Sequence, residues 1–409
     1  MSKVTPYVFL KDLCNVNQGL QIPIAKRFKT YAEGRYFYIT MQFLKEGHNE
    51  KYYVQNPPVS SICNKEDIIV VRTGSTGEVL TGIHGCFHNN FFKVNYNKEK
   101  IVGKYLYYCL STKEKKKEMK TRSGITTIPD LNHFMFLDMK IPLLSYSRQI
   151  STVKILDALN TKIELNNRIN TELEAIAKTL YDYWFVQFDF PDQDGKPYKS
   201  SGGKMVYNET LKREIPEGWN GENVLAVAEL LGGGTPSKKK EEYWNGEIPF
   251  FTPTDADLNV FKLSTDEFIT SIGLKNCSSP LFEKGDIFIT ARGSVGKLMI
   301  AANNMAMNQS CYALKAKEQV SYSYLYYLAK ELIHYLKVKS SGSVFNSIVS
   351  NDIKHTILVI PSPKIINDFS GKVEPAFERI LLNTKENQQL TKLRDWLLPM
   401  LMNGQVTVK

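Results

Sequence analysis

The most regular hydrophobic pattern in the chain lies in its middle. From residue 147 onward, apolar residues recur at alternating spacings of three and four for about four heptads, and neither Gly nor Pro interrupts residues 147–187. Such spacing places the side chains in one stripe, the seam of a coiled coil. We predict a central long helix within residues 146–190; its uninterrupted stretch of about 40 residues would be about 60 Å long at 1.5 Å per residue. Its seam contains Leu156, Leu159, Ile163, Asn166, Asn170, Leu173, Ala177, Leu180 and Trp184.

A second stripe of the same kind lies in residues 363–409, where we predict a C-terminal long helix. Its members lie 217 positions after those of the first, and both stripes hold two Asn at equivalent positions. Buried Asn in a coiled-coil seam costs stability but fixes the register. We expect the helices to pair antiparallel; the alternative is that the Asn lie on a rim, and Arg394 at a seam position argues against tight pairing. The predicted pairing residues are Leu159, Ile163, Asn166, Asn170, Leu173, Ile380, Asn383, Asn387 and Leu390.

Ahead of each long helix lies a β-rich region. In the first, residues 36–40, 67–72 and 90–94 are short apolar or aromatic runs bounded by Gly, Asn or charged residues, which is typical of strands. Residues 102–120 predict one helix with an apolar face. Residues 191–215 contain Pro, Gly, Ser and charges without apolar periodicity, which predicts a linker.

The chain contains an internal repeat. Residues 67–77 (DIIVVRTGSTG) return 219 positions later as DIFITARGSVG, and the YLYY of residues 105–108 and the Ile-Pro of residues 141–142 return at the same offset. A period this long exceeds the 20–50 residues of solenoid repeats and indicates duplicated domains. Two tandem modules suit a target in two parts, or present pseudo-two-fold symmetry to partners.

The predicted fold is therefore α+β, with a pseudo-two-fold internal repeat. Two tandem β-rich domains are separated by two long antiparallel coiled-coil helices. The predicted division is a first domain over residues 1–145, the central helix over 146–190, a linker over 191–215, a second domain over 216–362 and the C-terminal helix over 363–409.

Charge and cysteine content narrow the class of protein. The net charge is +10, from 52 basic and 42 acidic residues, and an excess of positive charge favours nucleic acid as a partner. The six Cys are scattered without a CxxC pair, which indicates free thiols in a reducing cytoplasm. The sequence has no run of about 18 apolar residues, so no membrane-spanning helix is predicted.

The repeated turn after the DIIVV and DIFIT strands could present Arg and Ser to DNA, or be purely structural. A cluster of three Lys beside Tyr243 and Trp244 suits phosphate contacts with packing in a groove; the alternative is a solvated loop with Trp244 in its own core. The candidate DNA contacts are Arg72, Thr73, Ser75, Arg122, Lys238, Lys239, Lys240, Tyr243, Arg292, Ser294 and Lys297.

Motifs for chemistry are incomplete. Residues 56–59 (NPPV) are similar to the Asn-Pro-Pro-aromatic tetrad of adenine N6 methyltransferases, but Val59 cannot stack on a flipped base. Residues 293–297 (GSVGK) fall short of a P-loop, because Ala291 stands where the first Gly belongs and Leu298 follows the Lys.

A metal site is disfavoured as well. His84, Cys86 and His88 share one face of a predicted strand, yet a zinc site needs a fourth ligand or a bound water. The second copy has no equivalent ligands. We therefore expect no catalytic or metal site, as for a binding protein.

Taken in order, these features resemble the specificity (S) subunit of type I restriction–modification systems. The second copy contributes GGTPS at residues 233–237, YWNGEIP at 243–249 and the strand and turn of 285–296, followed by Ile-Pro and a long helix. The first copy has GLQIP at residues 19–23 in place of GGTPS. Residues 34–40 nevertheless align with 246–252 at an offset of 212.

The resemblance implies two target recognition domains, each reading one half of a bipartite site in double-stranded DNA, and two helices that dock two methyltransferase subunits. A restriction and translocation subunit is a further implied partner. It implies S-adenosylmethionine in the methyltransferase and ATP and Mg in the restriction subunit, with no cofactor, catalysis or membrane contact in this chain. If the helices are rigid, their length sets the spacing of the half-sites.

The sequence leaves other functions open. One is the specificity chain of a type IIB-like or other phage-defence methyltransferase. A second is a self-contained nucleic-acid enzyme, which the missing methyl-donor and metal motifs disfavour. A third is a two-module adaptor for RNA or protein, which salt-dependent binding to a specific duplex would distinguish from the first prediction.

Overall fold

The chain forms two compact units of mixed helix and strand. The structure, a computed structural model, describes residues 5–44, 50–124, 130–339 and 347–406. One unit comprises residues 1–162 with 390–409, and the other comprises residues 163–389. The division falls inside both long helices, so each unit contains one part of each helix.

The first unit contains, among its described residues, two four-stranded sheets and a two-stranded ribbon. Its strands are β1 (Tyr7–Phe9), β2 (Cys14–Gln18), β3 (Arg35–Ile39), β4 (Tyr53–Gln55), β5 (Ile62–Cys63), β6 (Ile68–Val71), β7 (Val79–Leu80), β8 (Gly85–Phe87), β9 (Phe91–Tyr96) and β10 (Lys140–Pro142). One sheet has the order β2-β9-β6-β7 and the other β4-β3-β8-β5, while β1 pairs with β10. All four residues of β6 are buried.

The predicted helix over residues 102–120 is two helices, α1 (Gly103–Ser111) and α2 (Lys113–Arg122). Thr112 separates them in an extended conformation, and its hydroxyl accepts a hydrogen bond from the backbone N–H of Lys115. An N-cap of this kind begins a new helix. A third helix, α3 (His133–Leu137), precedes β10.

The second unit repeats this plan. Its strands are β11 (Met205–Asn208), β12 (Arg213–Pro216), β13 (Asn220–Asn223), β14 (Ala228–Gly232), β15 (Trp244–Phe251), β16 (Phe261–Lys262), β17 (Glu267–Ile269), β18 (Ile287–Thr290), β19 (Leu298–Ala301), β20 (Ala306–Met307), β21 (Cys311–Ala316) and β22 (Ile357–Ile360). The larger sheet has the order β14-β21-β18-β19-β16, and the smaller has β17-β15-β20. Its shorter helices are α5 (Ser271–Lys275), α6 (Tyr322–Lys339) and α7 (Ser350–His355).

The two units share the order of most of their strands. The order β2-β9-β6-β7 corresponds to β14-β21-β18-β19, and the order β4-β3-β8 corresponds to β17-β15-β20. In the second of these orders the last pairing is parallel in both units, β3 with β8 and β15 with β20. The duplication read from the sequence is therefore a duplication of topology.

The two long helices are α4 (Tyr146–Tyr181), which continues as a π-helical turn over Asp182–Val186, and α8 (Pro363–Met402). No described seam residue of either helix is exposed, whereas Leu165, Ile176, Leu382, Leu393 and Trp396 on other faces are exposed. The apolar stripe is therefore the covered face of each helix, as its period indicates.

The segment predicted as a linker has structure of its own. Strands β11 and β12 form an antiparallel hairpin. The ring of Phe190 stacks on Tyr198 and on Trp219, with centroids 4.6 and 4.8 Å apart. The segment connects the repeats and also packs on the core of the second unit.

Among the described residues, no helix is both long and apolar enough to cross a bilayer.

Candidate nucleic-acid interface and helix pair

Each unit makes a sharp turn after a buried strand. Between β6 and β7, Gly74 and Gly77 have φ of 92° and 91°; between β18 and β19, Gly293 and Gly296 have φ of 77° and 80°. A side chain is strained at such positive φ, so Gly is required. The hairpin-like turn predicted for both copies is confirmed.

Arg72 at the first turn is engaged within its own domain. The side chain is only 15% exposed and forms an ion pair with Asp130 at 2.6 Å, and the guanidinium lies 5.3 Å from the ring centroid of Phe92. The hydroxyl of Thr73 donates to the same carboxylate at 2.9 Å. These contacts leave Arg72 little freedom to meet a phosphate, and its DNA contact stays a prediction.

At the second turn the basic residue, Arg292, lies one position later than Arg72 does at the first turn, and it faces the opposite side of the strand. The repeat aligns Arg72 with buried Ala291 and Thr73 with Arg292, and successive positions of an extended chain face opposite sides. Arg292 and Ser294 are exposed, as is Ser75 in the first copy. Within the described ranges the Arg292 side chain has no hydrogen bond or ion pair, so its charge is available to a ligand.

Lys297 and Arg122 are both held by intramolecular partners. Lys297 Nζ donates to the carbonyl of Ala256 at 2.7 Å. Arg122 forms ion pairs with Glu118 at 2.9 Å and Asp138 at 3.7 Å. Nothing in these contacts singles out either residue for DNA, and both remain predicted contacts only.

The cluster of Lys in the second unit lies on the surface, in the loop before β15. Lys238 forms an exposed ion pair with Glu267 at 2.8 Å and lies 5.1 Å from the ring of Trp244. Trp244 itself packs edge-on against Phe250, in agreement with the core alternative for this residue. Lys239 is exposed and has no side-chain partner in the described part of the chain.

Tyr243 supports its neighbour rather than facing solvent. Its ring is 5% exposed, and Lys240 Nζ donates to its hydroxyl at 2.9 Å. This hydrogen bond raises the pKa of Lys240 above its ordinary value. A buried ring cannot stack on a base, so the expected contribution of Tyr243 is to hold Lys240 at the surface.

A close approach between two backbone segments fixes the start of the loop before β15 in the second unit, and the start of the corresponding loop before β3 in the first unit. A Cβ on Gly233 would lie 2.2 Å from the carbonyl oxygen of Asn308, and a Cβ on Gly19 would lie 2.1 Å from that of Phe87. Only Gly fits at either position. The correspondence between residues 19–23 and 233–237 thus has a common steric cause.

The loop that follows Gly19 is missing from the predicted contacts. At the offset of 212 that aligns Gly34 with Gly246, Lys26 and Tyr31 align with Lys238 and Tyr243. The first copy therefore has its own basic and aromatic loop at the same place. The first copy has no GGTPS motif to mark this loop, so the offset of 212 positions is the feature of the sequence that could have located it.

Asparagine side chains join α4 to α8 within the second unit. Asn166 Nδ2 donates to the side-chain oxygen of Asn387 at 3.0 Å, and Asn383 Nδ2 donates to that of Asn170 at 2.8 Å. Residue numbers rise along one helix as they fall along the other, so the helices run antiparallel here. Asn166 and Asn383 are almost fully buried.

The same pairing continues within the first unit at Arg394. Its Nη1 donates to the side-chain oxygen of Asn160 at 3.0 Å, and its other nitrogens contact Asp395. Asn160 in turn donates to the hydroxyl of Tyr108 at 2.8 Å. The Arg at a seam position is thus satisfied by a polar partner on the facing helix.

The repeated YLYY motif packs each domain against the long helices. In the first unit, the hydroxyl of Tyr108 donates to Asp157 on α4 at 2.7 Å. In the second, the hydroxyl of Tyr327 donates to the carbonyl of Glu174 on α4 at 3.0 Å. Burial raises the pKa of both Tyr well above the usual range, so each hydroxyl remains a neutral donor.

The described residues contain no cluster of three or more His, Cys, Asp or Glu suited to a metal ion. Cys86 is buried, and burial raises the pKa of its thiol. The rings of His84 and His88 pack against Tyr36 and Tyr38. Packing therefore accounts for Cys86 and His88, whereas His84 is exposed at the surface beside Tyr36.

Comparison with known proteins explains the doubled domain. A family described as "Type I restriction modification DNA specificity domain" matches residues 2–175 and again residues 216–392. The two matches cover most of the chain. The chain belongs to this family.

Members of this family with curated names include two that align over most of their length. A type I restriction enzyme specificity subunit named MjaIX, from Methanocaldococcus jannaschii, is 28% identical over 354 residues, which is 84% of this chain and 78% of that protein. The HindI specificity subunit of Haemophilus influenzae is 25% identical over 370 residues, covering 77% and 80%.

A solved family structure shows the same fold. The S subunit of a type I restriction-modification system from M. genitalium superposes with a TM-score of 0.59 over 98% of this chain and 97% of that chain, at 16% identity. These relatives are named as specificity subunits, and the two matched segments are the two repeats described above.

Proposed function

We propose that the chain is the DNA-recognition subunit of a type I restriction–modification complex. It would bind a bipartite site in double-stranded DNA, with one recognition domain, over residues 1–145 or 216–362, on each half-site. The observation that carries this proposal is the doubled specificity domain, matched at residues 2–175 and 216–392. The exposed cations Lys239 and Arg292 supply charge for phosphates in the second unit.

The two long helices would separate the recognition domains as an antiparallel coiled coil. Asn166 and Asn383 are equivalent in the repeat, as are Asn170 and Asn387. The hydrogen bonds Asn166–Asn387 and Asn383–Asn170 exchange under that equivalence. Contacts that exchange in this way are those of an isologous interface, which supports a pseudo-two-fold axis through the helix pair.

Such symmetry would give two equivalent docking positions, one for each of two methyltransferase subunits, with a restriction and translocation subunit joining in turn. Adenine N6 methylation would use S-adenosylmethionine in the methyltransferase, and cleavage would use ATP and Mg in the restriction subunit. This chain would contribute recognition and assembly in the cytoplasm, without catalysis. The incomplete P-loop and methyltransferase motifs support that division of labour.

The test is single-molecule sequencing of DNA from cells that express the chain with its methyltransferase, beside cells with the methyltransferase alone. We expect a new split motif carrying N6-methyladenine only when the chain is present. The motif would report both half-sites and the spacer. No new methylation, with the two proteins shown to be bound together and folded, would contradict the proposal.

A further inference from the structure

The loop between β2 and β3 in the first unit exposes an unusual combination of side chains. Ile24 is 73% exposed and Tyr31 is 72% exposed, and Lys26 and Lys29 between them are exposed as well. Neither Lys has a side-chain partner within the described ranges. Two large apolar groups around two unpaired cations indicate a surface made for contact.

The loop is held from beneath by Arg27. Its Nε and Nη2 both donate to the carbonyl of Ile22, at 2.9 and 2.8 Å. The guanidinium also lies 5.0 Å from the ring centroid of Tyr38, and the hydroxyl of Tyr38 donates to the carbonyl of Leu20 at 2.7 Å. These contacts fix the first half of the loop on the sheet that contains β3.

Arg35 and Phe28 fix the second half. Arg35 stacks over the ring of Phe28 at 3.7 Å and donates to the carbonyl of Thr30 at 3.1 Å. Phe28 and Tyr53 exchange two backbone hydrogen bonds, of 2.9 and 2.8 Å, and Tyr31 packs edge-on against Tyr53. The outward side chains are therefore presented by a preorganised backbone, which reduces the entropy lost on binding.

Charge favours a polyanion as the ligand. Residues 19–44 contain four basic residues and a single acidic one, Glu33. The corresponding loop of the second unit, aligned at the offset of 212, has Lys238 opposite Lys26 and Lys239 opposite Arg27. Residues 24–31 carry a net charge of +3, and the aligned residues 236–243 carry +1, because Glu241 and Glu242 offset two of the three Lys. Both loops follow a Gly at a position that admits no side chain; they differ in sequence, and both are net positive.

We infer that residues 24–31 form the DNA-contact loop for the first half-site, an inference that rests on the proposed function. Lys26 and Lys29 contact phosphates, which position the duplex. Ile24 and Tyr31 enter a groove, where apolar side chains contact thymine methyl groups and sugars. The differing sequences of the two loops would then read different half-sites.

The first test measures binding of the full chain, with its methyltransferase, to a short mixed-sequence duplex over a range of salt concentrations. Phosphate contacts do not depend on sequence, so this probe needs no knowledge of the site. Replacing both Lys26→Ala and Lys29→Ala should weaken binding and reduce the slope of log K against log salt by about 2, or about 0.9 per phosphate contact. Replacement of both with Arg should restore the slope.

The matched control is Lys113→Ala with Lys117→Ala, which removes the same charge from exposed positions on α2 of the same unit. A loop variant whose salt slope equals that of this control would overturn the inference. If the wild-type chain bound DNA with no dependence on salt, or if cells expressing it showed no methylated split motif, the proposed function itself would be contradicted.

The second test sequences methylated DNA from cells carrying Tyr31→Ala or Ile24→Ala. We expect altered base preference, or lower methylation that depends on sequence, in one half-site only. The other half-site and the spacer should be unchanged. Wild-type preference in both half-sites for both variants would overturn the role of these two side chains.

Discussion

Lengthening both long helices together should lengthen the spacer between the half-sites. The division between the two compact units falls between residues 162 and 163 in α4 and between 389 and 390 in α8. The bond between Asn160 and Arg394 lies on one side of these points and the Asn166–Asn387 bond on the other. Four residues added at both points would leave each of these bonds intact.

The size of the change follows from helix geometry. Four residues add about 6 Å of length and about 40° of rotation beyond one full turn, at 1.5 Å and about 100° per residue. One or two base pairs add about 3.4 to 7 Å and about 35 to 70° of twist in B-DNA. If the helices run along the DNA between the half-sites, the preferred spacer should grow by one or two base pairs.

The assay is the methylated motif in cells that carry the double insertion. A control adds the same four residues between β11 and β12, in the turn of the connecting hairpin, where the chain lengthens and the helices do not. That control should keep the wild-type spacer. An active double-insertion chain with an unchanged spacer, or a control whose spacer grows equally, would refute the proposal that the helices set the distance.

Three further outcomes follow from buried groups. Asn383→Ala should lower the free energy of unfolding of the second unit by about 1–3 kcal/mol in urea titration, because Asn170 loses its hydrogen bond, whereas Leu382→Ala, at an exposed position, should change it little. Burial raises the pKa of the Glu331 carboxyl, so the folded state holds this proton more tightly than the unfolded state does. The free energy of unfolding should therefore fall as pH rises from the unfolded pKa through the folded one. Glu331→Gln should abolish this loss of stability, and a pH profile unchanged by the substitution would contradict the argument. Iodoacetamide followed by mass spectrometry should modify half-exposed Cys277 well before Cys109, whose pKa burial raises to about 12; equal labelling rates would contradict the burial.

Periodicity in the sequence was sufficient to locate the long helices, because a single covered stripe over four heptads determines both the helix and its buried face. The break at Thr112 was not found this way. The apolar pattern of α1 runs into the charged residues of α2 without Gly or Pro, and the break depends on the Thr112 hydroxyl capping Lys115. Local capping can override a continuous pattern.

Long-range partners were the other gap. The sequence shows Arg72 beside a turn, and only the fold brings Asp130 to it from 58 positions away. The same holds for Arg394, a charged residue at a seam position whose partner, Asn160, lies on the facing helix. A repeat can reveal equivalent positions, as it does for Lys26 and Lys238, but the partner of a charge depends on tertiary contacts.

The asparagines in the seam give the helix pair a single favourable register. A slip of one heptad in either direction would keep the apolar stripes in contact, so apolar packing alone discriminates weakly between registers. It would move Asn166 opposite Ile380 or Arg394, and Asn170 opposite Ala376 or Leu390. Each buried amide left without a partner costs about 1–3 kcal/mol. A slip that brings Ile380 and Ala376 opposite the two Asn leaves both amides unpaired; in the other direction Arg394 could pair with Asn166, but Asn170 would still face Leu390 and lose its partner. The register that would determine the DNA spacer is therefore held by side chains that contribute little to apolar packing.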